Sequence, residues 1–327
     1  MLENFILSVG IVVPIFLVMF LGYFLRCKEI TNDAFVQKGN FLVFKVILPA
    51  NLFLTVYNQN VGEIIDIPFI LFTVTATIIA FGTSWLGAHF FMKDRGAIGA
   101  FVHSAFRGNF VILGLPVMTN FLGAENIGKA ALVILFTIPL YNVLAILVLS
   151  VTGESDKKVS PKTVLKGIAT NPLTVGIMLG FIMSMARTFF DFPNLPLPIS
   201  GTIGILEDTV ASVTRMTTPL ALICLGGGLE LSKYNPKIKY GVWAAALKTI
   251  FQPLVLVSAA YLFGFRDNDL AIILITFAVP AAITSYTMTV QMGGDHYVGA
   301  TSVMFSTLFS VFTLTGFIYA FMMLGLV

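Results

Sequence analysis

The sequence predicts an all-α polytopic membrane protein of about ten transmembrane helices, arranged as two inverted five-helix repeats whose fourth and ninth helices are broken. Three observations carry this. Of the 327 residues, 57% are hydrophobic and only 11% are charged, against about 25% charged in a soluble domain. Most of the chain falls in apolar runs of about 20 residues or more, the length of a helical crossing. Two of those runs, one in each half, are interrupted by glycine and proline at matching places.

The spans are expected at roughly 4–25, 34–57, 67–92, 97–121, 126–151, 171–190, 203–230, 240–264, 268–292 and 296–325. Polar breaks divide them, among them Arg26-Cys27-Lys28-Glu29, Lys93-Asp94-Arg95 and the run Gly153 to Lys158. The first run is long and lacks the charged leader and small-residue cleavage site of a signal peptide, so it reads as a retained span. Residues 191–200 are a Pro-rich connector. The two cysteines, Cys27 and Cys224, say nothing firm about redox compartment.

The halves can be laid over each other. Residues 1–151 form the first five-helix repeat, 152–170 a cytoplasmic linker, and 171–327 the second repeat. Lys45 precedes Pro49 by four residues, as Arg215 precedes Pro219, and Pro116 matches Pro280. Five is odd, so the halves enter the membrane from opposite sides, the arrangement that supports alternating access. Orientation follows from basic residues in the loops. Arg26, Lys28, Lys38, Lys93, Arg95, Lys157, Lys158, Lys162, Lys166, Lys233, Lys237 and Lys239 fall on odd-numbered loops, and only Lys129, Arg187 and Arg266 on even ones. By the positive-inside rule the odd loops are cytoplasmic and both termini lie outside.

The run Arg107-Gly108-Asn109 to Gly114-Leu115-Pro116 is a poor lipid-facing helix. A proline inside a helix removes a hydrogen bond and collides with the preceding turn, and freed backbone groups must be satisfied by protein or water. Pro116 and Pro280 are therefore expected to open second half-helices whose free N–H groups attract an anion. The alternative is a plain kink. Thr119 and Asn120 neighbour Pro116; Ala281, Thr284, Ser285 and Tyr286 neighbour Pro280. Asn51 and the pair Tyr141-Asn142 are further mid-depth polar groups, and such groups serve either a ligand or a neighbouring helix. Gly226-Gly227-Gly228 reads as a close helix approach.

Four cations, Lys45, Arg107, Arg215 and Lys248, lie within spans, with no acid comparably deep. A cation at mid-span is costly, about 2.5–3.5 kcal/mol on insertion scales, so each should face a wet cavity, a partner or an anion. Snorkelling toward the interface is the alternative. His103 lies one helical turn before Arg107, on the same face. These five residues are the expected tuners of cavity charge. No catalytic pair, nucleotide-binding motif or metal-ligand spacing is found, and His89, His103 and His296 are scattered. No enzymatic role, cofactor, metal or nucleic-acid partner is expected; a membrane-embedded enzyme or sensor is the distant alternative.

Four motifs carry a resemblance: Leu48-Pro49-Ala50-Asn51-Leu52-Phe53; Arg107-Gly108-Asn109 through Pro116; Pro219 to Gly226; and Pro280-Ala281-Ala282 through Ser285-Tyr286 to Asp295. Together they resemble the auxin efflux carrier family, which includes plant carriers and bacterial malate and malonate permeases. The resemblance implies that helices 4 and 9 cross at their breaks, with a scaffold of helices 1, 2, 6 and 7 and a transport unit of helices 3–5 and 8–10. It implies a cell-membrane secondary transporter of small organic anions, with the substrate carboxylate near Pro116, Asn142 and residues 281–286, and allows a homodimer. Val117 stands where the plant carriers have asparagine, and the linker is short, so a small mono- or dicarboxylate is expected in preference to auxin. A sodium- or proton-coupled carrier of bile-acid or sodium/proton-antiporter architecture is the alternative.

Overall fold

The computed structural model describes residues 2–58, 65–123, 128–153, 170, 172–189, 197–228 and 236–326. The basic stretch 157–166, the connector 191–196 and Lys233 lie outside them. Thirteen helices are described: α1 Leu2–Cys27, α2 Asp33–Tyr57, α3 Ile67–Phe91, α4 Arg95–Phe106, α5 Phe110–Leu122, α6 Ala130–Thr152, α7 Pro172–Phe189, α8 Leu197–Thr214, α9 Thr217–Gly227, α10 Ile238–Leu262, α11 Asp267–Ala278, α12 Ile283–Gln291 and α13 His296–Leu324.

Among the described residues, 7 helical stretches are long and apolar enough to cross a membrane. The predicted spans four and nine are built differently, each from two shorter helices: α4 with α5, and α11 with α12. Large apolar side chains such as Phe5, Leu17, Leu71, Phe90, Leu262 and Phe312 cover the outside. A water-soluble protein would not tolerate so much contiguous apolar surface; a bilayer does. The chain is an all-α polytopic membrane protein.

Helix ends are set by local chemistry. Asn32, Asp66, Asp94 and Asp295 each accept backbone N–H bonds at the start of a helix, satisfying donors that have no intrahelical partner. Inside the spans, among the described residues, four five-residue π-helical turns occur: Val43–Ile47, Phe110–Gly114, Val133–Thr137 and Leu247–Phe251. Each is followed at the second residue by a proline, Pro49, Pro116, Pro139 or Pro253. The reason is steric. A proline ring collides with the carbonyl four residues earlier, and one extra residue in the preceding turn moves that carbonyl aside. The helix then passes the proline without breaking.

Small residues let the helices of the first and second halves meet closely. A side chain at Gly226 would overlap the Met19 carbonyl, which brings α9 against α1, and one at Gly176 would overlap the Pro49 carbonyl, which brings α7 against α2. Such contacts drive helix association where the surrounding lipid is as apolar as the side chains.

At opposite ends of the bundle lie two matching ionic clusters. Lys129, before α6, bonds Asp66 and Asp269, each at 2.7 Å. Lys237, before α10, bonds Asp94 at 2.5 Å and Asp295 at 2.6 Å. One cluster ties the starts of α3, α6 and α11; the other ties the starts of α10, α13 and α4. The pattern is repeated with charges exchanged. Lys129, placed by the sequence on a loop between spans, thus joins three helices.

These clusters set a pH window. The Lys237 ammonium holds Asp94 below the usual carboxylate range, and its two carboxylates raise Lys237. Burial works against the charges on Asp66 and Lys129, but their hydrogen bonds outweigh it, lowering the first and raising the second. A depressed carboxylate stabilises above its unfolded value and loses that as pH falls; a raised lysine stabilises below its unfolded value and loses that as pH rises. The clusters are therefore fully effective between about pH 4 and pH 10. Lys237→Met is expected to flatten the acid limb of the melting temperature plotted against pH; an unchanged limb would show that the cluster contributes nothing.

Candidate anion site at the helix crossing

The helix α4 stops at Phe106 and α11 at Ala278. The segments that follow are extended, Arg107 at φ −88°, ψ 108° and Val279 at φ −61°, ψ 147°. They run antiparallel and pair Gly108 with Ala281. Asn109 donates its N–H to the Pro280 carbonyl at 2.7 Å, and Ala282 donates to the Arg107 carbonyl at 3.1 Å. The Ala281 amide donates to Ser306 Oγ of α13 at 3.0 Å. Each break thus supplies the hydrogen bonds the other has lost, as backbone in a membrane requires.

Glycine is needed at 108. A methyl group there would lie 2.9 Å from Val279 Cγ2, 3.1 Å from Lys248 Nζ and 3.2 Å from the Thr276 carbonyl. The two chains could not approach this closely around a side chain.

A cavity of about 280 Å³ opens beside the crossing. Its wall includes Asn109, Phe110, Val111 and Ile112 on one side and Ala282, Ile283 and Thr284 on the other. These are the first turns of α5 and α12, so both second half-helices begin at the cavity. A helix start carries unpaired N–H groups and roughly +0.5 charge. Arg107 joins the same wall. The residue is 8% exposed, and its guanidinium lies 3.5 Å from His103 Nε2 and donates to Met288 Sδ at 3.2 Å. Among the described residues no carboxylate lies within 4 Å of it; the ion pairs there are those of Arg26, Lys129 and Lys237. On the same wall, the Asn109 amide nitrogen and the Tyr141 hydroxyl have no hydrogen-bond partner among the described residues. The Tyr141 hydroxyl faces the Gly108 amide without meeting hydrogen-bond geometry. The rest of the wall is mainly apolar: Phe44, Ile138 and Leu173, with Asn40 and Thr287.

The expected site residues divide. Arg107 and Thr284 line the cavity. Pro280 and Ala281 form the crossing itself. Ser285 is buried and donates to the Ala282 carbonyl, so it closes its own helix turn. Tyr286 is half-buried and packs near Gly299. Asn142 is half-buried and off the wall, where its neighbour Tyr141 stands instead; one residue turns a helix by about 100°.

Pro116 is corrected. It sits inside a continuous stretch, Phe110–Leu122, after a π-helical turn, and the break it was expected to make lies earlier, at Arg107–Asn109. Thr119 and Asn120 are accordingly remote: Thr119 donates to the Leu115 carbonyl and Asn120 to the Ile11 carbonyl. Asn51 and Pro116 share a small separate crevice with Thr217 and Thr218. Lys45 and Arg215 are exposed on the protein surface, away from the cavity. His103 is fully buried behind Arg107 and stacks toward Phe106. Asn40, Asn109 and Phe110 were not expected as site residues, and Tyr141 was expected only as a mid-depth polar group beside Asn142. The Arg-Gly-Asn triplet was the available signal, because a glycine between two polar residues in an apolar run is a better break than a proline that a π turn can absorb.

The chain matches the family model described as "Membrane transport protein" over residues 7–318. It belongs to that family. This is the auxin efflux carrier family that the motifs resemble. It is 26% identical over 324 residues to a Rhizobium meliloti protein named "Putative malonate transporter", covering 95% of this chain and 94% of the relative. It is also 24% identical over 319 residues to an Escherichia coli protein named "Uncharacterized transporter YfdV", covering 95% and 96%. An uncharacterized transporter of Methanocaldococcus jannaschii is 23% identical over 312 residues, covering 93% and 96%. As a member of this family the chain is a membrane transport protein and not an enzyme.

Proposed function

We propose that this transport protein is a secondary carrier of small organic anions, mono- or dicarboxylates, that binds the carboxylate at the crossing and works by alternating access. The observation that supports this best is the buried Arg107, without a carboxylate partner among the described residues, on a wall formed by two helix starts. Three positive elements converge with no acid among the described residues to balance them. A carboxylate removed from water regains its hydrogen bonds there from charged and backbone donors. Phe44, Phe110, Ile138, Leu173 and Ile283 would cover an apolar body. The name of the Rhizobium relative makes malonate a natural first probe.

In this reading residues 1–151 and 171–327 are inverted repeats. Helices α1, α2 and α7–α9 are the scaffold; α3–α6 and α10–α13 are the moving unit, kept rigid by the two ionic clusters. The carrier lies in the cell membrane with both termini outside.

Purified protein in liposomes, offered labelled malonate, malate, butyrate and benzoate against choline and glucose, tests the substrate class. Uptake of carboxylates alone is the expected result, and preference for the cation or the sugar overturns it. Orientation is checked by cysteines placed at Asn58 and at Lys93, both exposed, in a chain without Cys27 and Cys224. An impermeant thiol reagent added outside cells should reach position 58 and not 93; labelling of both or of 93 alone would refute the topology.

A further inference from the structure

Lys248 takes no part in the anion cavity, yet it is the most deeply buried cation described. It is 0% exposed. The π-helical turn Leu247–Phe251 of α10 carries it, and its Nζ donates to the Phe277 carbonyl at 3.0 Å, in the last turn of α11. The Phe277 ring lies 6.0 Å away, within reach of a cation–π contact. On its other side is the Gly108 break, where a methyl group would come within 3.1 Å of Nζ. The lysine is wedged between the end of one broken helix and the unwound segment of the other. Among the described residues it has no carboxylate partner within 4 Å.

The electrostatics of the crossing explain the placement. Four half-helix ends meet there. The starts of α5 and α12 are positive and line the cavity; the ends of α4 and α11 are negative. Arg107 stands at the end of α4, and Lys248 bonds the end of α11. Each negative end therefore has a basic side chain of its own. In carriers built on discontinuous helices, such carbonyl-bearing ends are where a sodium ion or proton binds.

We infer that Lys248 is a tethered substitute for a coupling cation: its ammonium occupies the cation position at the end of α11 and holds that end against Gly108, so that the carrier works without sodium or another diffusible metal cation. Lys248 is a positioning residue and does not touch the transported anion. The transport half of this inference rests on the function proposed above; the cation half does not.

The test uses the purified full-length protein in detergent. Its melting temperature is measured in choline, sodium, potassium, lithium and methylammonium chlorides at equal ionic strength. Wild type should melt at one temperature in all five. Lys248→Ala should melt lower in choline, by about 5 °C or more, and recover saturably in methylammonium or sodium. Lys248→Met, which fills the space without charge, should stay low in every salt. Saturable stabilisation of wild type by sodium overturns the inference, as does a Lys248→Met protein that melts like wild type or a Lys248→Ala protein that no cation restores. If neither variant folds, the wild-type arm still decides. Malonate uptake into liposomes with sodium or choline outside adds the transport readout. Equal rates are expected, and sodium-dependent uptake overturns the inference. A wild type that takes up no malonate counts against the proposed substrate only, since the melting series is read without it.

Discussion

Arg107→Gln is expected to weaken carboxylate binding by about 2–5 kcal/mol, the range for losing one partner of a buried, hydrogen-bonded charge pair. That corresponds to a thirtyfold or greater rise in Kd. The expectation follows from where the residue sits. Its backbone carbonyl is part of the crossing, accepting from the Ala282 amide, while its guanidinium turns to the cavity beside His103 and Met288. Substituting the side chain leaves the backbone pairing intact, so the folded yield should change little. Arg107→Lys should recover part of the affinity, because it restores charge without the planar fork that grips a carboxylate. Lys45→Gln is the matched control, a cation of the same chain exposed away from the cavity. Calorimetric titration with malonate, or with whichever carboxylate the uptake panel selects, measures all three. Equal affinity in Arg107→Gln and wild type would place the anion elsewhere.

The second large effect is expected from a single methyl group. Gly108→Ala places a Cβ 2.9 Å from Val279 Cγ2 and 3.2 Å from the Thr276 carbonyl, at the crossing of the two broken helices. Overpacking of this kind costs about 1–3 kcal/mol. Here the displaced atoms flank the segments that carry the reciprocal backbone bonds between the two breaks, so Gly108→Val should cost more and lose transport along with stability. Gly82 in α3 has nothing within 4 Å of the same methyl position, and Gly82→Ala should be neutral or slightly stabilising through helix propensity. Melting temperatures in detergent, with uptake measured alongside, compare the three. If Gly108→Ala and Gly82→Ala melt alike, the two broken helices do not cross as closely as described.

Composition and run length by themselves determined the membrane class and the order of the spans, because burial in lipid imposes a simple rule on every residue of a helix: twenty apolar positions, polar ends. The matched interruptions in the two halves were legible for a related reason. A glycine or proline in an apolar run demands an explanation wherever it occurs, and that demand correctly pointed to residues 107–116 and 279–281. The family followed from the same motifs, in order along the chain.

Which atoms form the site was decided only by the tertiary structure. Pro116 and Pro280 look alike in sequence, yet one is absorbed by a π turn and the other lies in the break. The difference lies upstream: Arg107-Gly108-Asn109 already interrupts the first helix and a π turn then carries it past Pro116, whereas Pro280 sits in the extended segment itself. Tyr141 and Asn142 are adjacent and polar; helix rotation against α4 and α5 puts the first on the wall and the second off it. The four mid-span cations were indistinguishable as letters. The fold leaves Lys45 and Arg215 outside, turns Arg107 to the cavity and buries Lys248 against the end of α11. The ionic clusters of Lys129 and Lys237 are also tertiary facts, since each joins carboxylates from distant parts of the chain. Long-range pairing depends on which helix ends meet, and a linear pattern of charge does not contain that information.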